Sequence, residues 1–346
     1  MSTASHRSLP WRIVGSCLIA GLVVTGCSSG KETATPQQQA PASGKVTLFY
    51  LQKQGDQQYF VEQAQGAQEK AKELGVELKV VNLGQDANKA ITELDAALAQ
   101  GANGIAIVVP DQAIGPQVLD KAKSAGIPII ASDDVIKDGG GTKSPFVGFN
   151  GSQMGDSVGK EAAKLFKAAG WTAADTKIIS AYKQDLTVCS DRVSAAKAAF
   201  DKTLSDQKSG AQVPVIEVGT DNTPVDAQNR TGAVIGSNPG VKHWVVWGCN
   251  DENETGAVTA LANSGVPAAD IIGVGLGAYL TCKDWAAGKD TGNKSALFIS
   301  GAEVGRTAIG LLVDKVKNSK ELPPETIAKT QIVTKDNYKQ AGVNCI

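Results

Sequence analysis

Asp133 and Asp134 stand side by side directly after an apolar run, and Lys53 follows another at 46–51. Arg192 lies in the loop-like stretch YKQDLTVCSDR, and Asn250 and Asp251 lie in GCNDEN, again just beyond apolar runs. The stretches QKQGDQQY, PDQA and GLGAY occupy the same kind of place. Carboxylates, amides, one lysine, one arginine and tyrosines therefore recur at equivalent points along the chain. Such groups are donors and acceptors suited to sugar hydroxyls, and tyrosine rings offer flat faces to C–H surfaces. Adjacent acids also suggest general acid–base chemistry, which needs a nucleophile, a metal or a histidine beside them. The chain has only His6 and His243, no Gly-x-Ser-x-Gly elbow and no metal-ligand spacing among its cysteines. Binding without catalysis, cofactor or metal is the expectation.

Hydrophobic periodicity shows which elements must position these groups. Residues 46–51 read as a strand. Phe60, Ala64, Ala67, Ala71 and Leu74 fall at helical spacing, with Gly75 as a stop. Strands follow at 76–81, 105–109 and 127–131, separated by helices over 87–100 and 113–125. After Pro145 the rhythm restarts, with strands at 177–181, 213–218, 243–247, 271–274 and 296–299. Helices are expected at 188–204, 227–235, 252–262 and 304–316. Buried-type strands alternating with helices predict an α/β protein with two doubly wound sheets. Ligands of such sheets sit beyond the carboxyl ends of the strands, where the polar groups above are placed.

The N-terminal stretch reads as a targeting device. Arg7 and Arg12 precede an apolar segment over 13–24, too short to span a bilayer, and Val24-Thr25-Gly26-Cys27 closes it. A lipoprotein signal over 1–26 is expected, with Cys27 acylated as the mature N-terminus and a polar, Pro/Gln-rich tether over 27–44. Loss of residues 1–26 turns 34 bases and 35 acids into 32 and 35. That balance excludes a nucleic-acid binder. Cys189, Cys249, Cys282 and Cys345 then remain in an oxidising compartment, where three pairings are open. Cys189 with Cys249 is favoured because both fall in loops at one sheet edge, leaving Cys282 with Cys345.

The segments VKHWVVWGCND, PAADIIGVGLGA, KQGDQQYF and IIASDDV make the chain resemble the type I periplasmic binding proteins of sugar ABC transporters, and among them the arabinose binders. The resemblance runs from Lys45 to VTKDNYKQ. It implies two Rossmann-like lobes joined by three crossover strands, with the sugar between them. Lobe 1 would hold 45–150 and 301–328, and lobe 2 would hold 151–300 and 329–346. It also implies that Lys53, Asp133, Asp134, Arg192 and Asn250 hold the sugar. Gln57 stands at a family glutamate, Tyr59 at a stacking tryptophan, and Phe149 and Cys249 at cleft methionines. Gly277 and Leu280 replace an asparagine and an aspartate of the arabinose binders. Tyr279, Asp185, Asp251 or Glu252 would then supply the missing polar contacts.

Plainer roles exist for several of these residues. Lys53 could also be a solvated lysine, Asp133-Asp134 a surface turn and Tyr59 core. Arg192 reads as a partner of Asp185 or Asp191, and Asn250-Asp251 as a helix cap. Gly273-x-Gly275-x-Gly277 is an incomplete dinucleotide fingerprint. The function implied is capture of a monosaccharide or polyol, such as a pentose, for delivery to the membrane subunits of an ABC permease. The lipid anchor would be the only tie to the membrane, and the protein would be a monomer. The alternative is a sensor that presents its sugar to a membrane receptor kinase.

Overall fold

The computed structural model describes residues 45–205 and 212–345. The expected signal peptide, the tether and Cys27 lie outside the described residues. The chain runs through β1 (Thr47–Lys53), α1 (Gln58–Glu73), β2 (Glu77–Gly84), α2 (Ala87–Ala99), β3 (Gly104–Ile107), α3 (Gly115–Ala125), β4 (Ile129–Asp133) and β5 (Phe146–Gly148). It continues with α4 (Gly151–Ala169), β6 (Thr176–Tyr182), α5 (Thr187–Leu204), β7 (Val215–Gly219), α6 (Pro224–Gly236), β8 (His243–Gly248), α7 (Asp251–Asn263), β9 (Ile271–Gly277), α8 (Thr281–Ala286) and β10 (Asn293–Ile299). It closes with α9 (Gly301–Asn318), β11 (Glu325–Ile327) and β12 (Thr330–Val333).

These strands form two six-stranded sheets, ordered β11-β5-β4-β3-β1-β2 and β12-β10-β9-β8-β6-β7. All pairs are parallel except β10 with β12. Both faces of the central strands are covered, which explains their continuous apolar sequence. In β1, Leu48 and Tyr50 enter one core while Phe49 and Leu51 enter another. In β8, Val245 and Trp247 face one side and Trp244 and Val246 the other, all at most 1% exposed. The architecture is that of two α/β lobes. The chain passes from one sheet to the other after β5, after β10 and between β11 and β12.

Several elements differ from the periodic reading. Pro116 lies at the start of α3, so the expected helix over 113–125 divides into a 3₁₀ turn at Gln112–Ile114 and α3. β4 begins two residues later than expected, after Pro128, and ends on Asp133, which pairs with Gly148 of β5. Asp133 is thus a strand terminus rather than a loop residue. β5, β11 and β12 are too short for alternation to reveal. α4 is obscured by Gly155 and Gly159, poor helix formers that are needed for packing. A Cβ on Gly155 would meet the Arg192 carbonyl oxygen, and one on Gly159 the Ala196 carbonyl oxygen, both on α5. α9 meets α1 in the same way, through Gly301 against Tyr59 and Gly305 against Gln63. Because Gly159 meets rigid backbone, Gly159→Ala is expected to cost about 1–3 kcal/mol in urea unfolding, although alanine favours helix.

Candidate ligand-binding cleft

The carboxyl ends of strands from both sheets converge on one cleft, which encloses about 530 Å³ of space, part of it open to solvent. The first sheet contributes Lys53 and Gln54 at the end of β1, Gln57, Tyr59 and Phe60 at the start of α1, and Asp133 and Asp134 at the end of β4. The second contributes Leu186, Val188, Cys189 and Arg192 around the start of α5, and Asn222 after β7. Cys249 and Asn250 follow β8, and Leu276, Tyr279 and Ile299 complete the wall.

Lys53 and Asp134 are both buried, and the Lys53 Nζ donates to Asp134 Oδ2 at 2.9 Å. Tyr59 OH donates to Asp133 Oδ1 at 2.7 Å and accepts from Gln63 Nε2 at 3.4 Å. Burial and the neighbouring Asp134 push the Asp133 carboxyl up, while the Arg192 guanidinium, Tyr59 and Lys53 oppose this. Arg192 Nη1 donates to the Cys249 carbonyl oxygen at 3.0 Å, and its buried Nε has no partner. Arg192 therefore pairs with neither Asp185 nor Asp191. Four of the five non-glycine residues with positive φ among the described residues sit at this cleft or beside it. They are Gln54 at 47°, Asp133 at 67°, Asn222 at 69° and Ala278 at 74°.

A polar chain crosses between the sheets. Gln57 Nε2 donates to Tyr279 OH at 3.4 Å, and Tyr279 OH donates to the Glu252 carboxylate at 2.8–2.9 Å. Burial and the nearby Asp251 push Glu252 up to about 7, against the hydrogen bonds from Gln57 and Tyr279. Asp251 is fully buried and accepts from the Leu280 and Thr281 backbone N–H groups and the Thr281 hydroxyl. Its work is to hold the β9–α8 turn rather than to face the cleft. Asp185 is exposed.

Nine of the residues expected at the site from sequence share this cleft: Lys53, Gln57, Tyr59, Asp133, Asp134, Arg192, Cys249, Asn250 and Tyr279. Asn250 also caps α7, its Oδ1 accepting from Asn253 N at 3.1 Å. Phe149 is not part of the cleft lining and is buried in the apolar core. Gly277 also lies outside the lining, since the Tyr279 ring covers it; a Cβ there would stand 2.5 Å from Tyr279 Cε1. Sequence reasoning did not single out Asn222, whose only local signal is a short polar stretch after β7. Cys189 and Cys249 form a disulfide within the wall, and Cys282 and Cys345 form another outside it. His243 starts β8 at the opposite end of that sheet, stacked on Trp171 at 4.5 Å. Among the described residues no His/Cys/Asp/Glu group is arranged to hold a metal ion, and no helix is long and apolar enough to cross a membrane.

Residues 48–320 match the periplasmic binding protein domain family. The L-arabinose-binding periplasmic protein of Escherichia coli strain K12 is 26% identical over 311 residues, 89% of this chain and 93% of that protein. The ABC transporter L-arabinose-binding periplasmic protein of Azospirillum brasilense is 27% identical over 309 residues, 87% of this chain and 90% of that one. An ABC transporter periplasmic solute binding protein from Actinobacillus succinogenes, solved with bound D-allose, superposes with a TM-score of 0.73 at 21% identity, covering 86% of this chain and all of that one.

Proposed function

We propose that this chain, which belongs to the periplasmic binding protein family, captures a neutral monosaccharide or polyol between its two sheets and delivers it to the membrane subunits of an ABC permease. The observation that carries this reading is the balance of charge in the cleft. Lys53 is matched by Asp134, and Arg192 faces the field of Asp133. What remains for a ligand is a dense set of donors and acceptors without net charge, together with the faces of Tyr59, Phe60 and Tyr279. Neutral hydroxyls suit such a lining, while a sugar acid would unbalance it. Hydrogen bonds to Asp, Lys and Arg are the stronger kind, which a ligand of small apolar area needs. The names of the curated relatives support a pentose. Gly277 and Leu280, in place of polar groups, favour a ligand other than L-arabinose or one read by Tyr279 instead. In this reading the lobes are 45–150 with 301–328 and 151–300 with 329–346. They hinge at the three crossovers to bury the sugar, and Cys27 carries the lipid anchor that keeps the protein outside the cytoplasm.

A thermal-shift screen of pentoses, hexoses, polyols and uronic acids tests the reading, because a ligand of the native state raises the apparent stability. Neutral sugars or polyols are expected to raise the melting temperature and uronic acids are not; the reverse pattern refutes the charge argument. Arg192→Ala is expected to weaken the best ligand by about 10- to 100-fold in titration calorimetry, the range of a hydrogen bond to a charged group.

A further inference from the structure

We propose that the Cys189–Cys249 disulfide is a positioning element of the cleft, which holds Arg192 at the ligand by tying the first turn of α5 to the end of β8. The inference rests on the binding function proposed above. Cys189 and Arg192 are three residues apart on α5, so they share a face of the helix. Both line the cleft, and both reach the same residue: Cys189 through the disulfide to Cys249, and Arg192 through its Nη1 bond to the Cys249 carbonyl. Disulfide and hydrogen bond therefore close a small ring between α5 and Cys249, with the guanidinium on its cleft side.

The start of α5 is backed by α4, where Gly155 meets the Arg192 carbonyl, but few side chains fix its first turn on the cleft side. Its N-cap residue is Leu186, which offers no side-chain cap, and Gln184, Asp185 and Thr187 are exposed. The preceding loop is pinned at Lys183, whose N–H donates to Asn222 Oδ1 at 3.1 Å. Four cleft residues, Leu186, Val188, Cys189 and Arg192, depend on this turn. The buried Arg192 Nε has no partner in the protein, so the fold itself gives the guanidinium only one hydrogen bond to keep its aim.

The second disulfide provides an internal control. It closes 63 residues against 60 for the first, so the two constrain the unfolded chain almost equally. Neither Cys282 nor Cys345 lines the cleft. A difference in ligand affinity between variants lacking one or the other therefore separates positioning from global stability.

The experiment compares C189S/C249S with C282S/C345S by titration calorimetry, using whichever of L-arabinose, D-ribose, D-glucose and myo-inositol most stabilises the parent protein. Loss of Cys189–Cys249 is expected to weaken binding by about tenfold or more, and loss of Cys282–Cys345 by less than about twofold. R192A added to C189S/C249S is expected to cost far less than R192A in the parent, because the disulfide and the guanidinium act as one unit. Equal weakening by the two disulfide losses, or a fully additive R192A effect, overturns the proposal. Should C189S/C249S fail to fold, the C282S/C345S protein is titrated with and without reductant, which opens the remaining bridge alone. Should none of the four probes bind the parent, the proposed sugar-binding function falls. Positioning is then read from amide hydrogen exchange over 187–192, expected to quicken in C189S/C249S and not in C282S/C345S. Equal exchange in both variants overturns it.

Discussion

Replacing Asp134 by alanine is expected to lower the stability of the fold by about 3–5 kcal/mol, the usual cost of breaking a buried ion pair by removing one partner. Lys53 is 7% exposed and its ammonium meets Asp134, itself 3% exposed, at 2.9 Å. Without the carboxylate that ammonium is stranded in the wall of the cleft. Asp134 lies just beyond the end of β4, yet its burial with Lys53 gives it a part in folding. Urea unfolding at neutral pH measures the loss directly. A Lys53→Met/Asp134→Leu protein removes both charges and is expected to regain most of the stability while losing ligand binding. That separation distinguishes a folding role from recognition. An unfolding midpoint for Asp134→Ala equal to that of the parent would refute the account.

The second large effect concerns Glu252. Burial and Asp251 raise its carboxyl from the ordinary 4.5 to about 7. Below pH 4.5 both folded and unfolded chains hold the proton, and Glu252 makes no difference to stability. Between there and about 7 only the folded chain holds it, so each rise in pH weakens the fold. Above that window both forms are ionised and the full penalty, roughly 3 kcal/mol for a shift of this size, is present. Asp133, Asp251 and Glu254 are pushed up in the same direction by burial, so the parent protein should be markedly more stable at pH 5 than at pH 8. Glu252→Gln is expected to recover about 2–3 kcal/mol at pH 8 and little at pH 4.5. Parallel stability–pH curves for parent and variant would show that Glu252 does not titrate in this way. The substitution also keeps a partner for the Tyr279 hydroxyl, which links Glu252 to Gln57 across the cleft.

Much of the fold was readable because the central strands are buried on both faces and announce themselves as apolar runs. β5, β11 and β12 were not, since three or four residues carry no period, and β11 and β12 are set by partners far away in sequence. At the cleft, Lys53, Asp133, Arg192 and Asn250 could be placed together because the ends of parallel strands must meet the ligand side. Their pairings could not. Lys53 and Asp134 lie 81 residues apart, and Gln57 and Tyr279 lie 222 apart. Tyr279 reaches its place through backbone turns at Gly277, with φ 140°, and Ala278 that no composition signals. The resemblance places Phe149, one residue beyond β5, in the cleft, yet it is buried in the apolar core and is not part of the lining.

The left-handed residues around the cleft bear on how this protein could be engineered. A non-glycine side chain in that conformation costs of order 1–3 kcal/mol, less for Asn and Asp. A chain chosen only for folding would carry glycine at 54, 133, 222 and 278; this one carries Gln, Asp, Asn and Ala. Three of those four side chains form the wall itself. A variant library ranked by melting temperature alone would therefore drift toward glycine at these positions. It would report each step as an improvement while dismantling the surface that recognises the ligand.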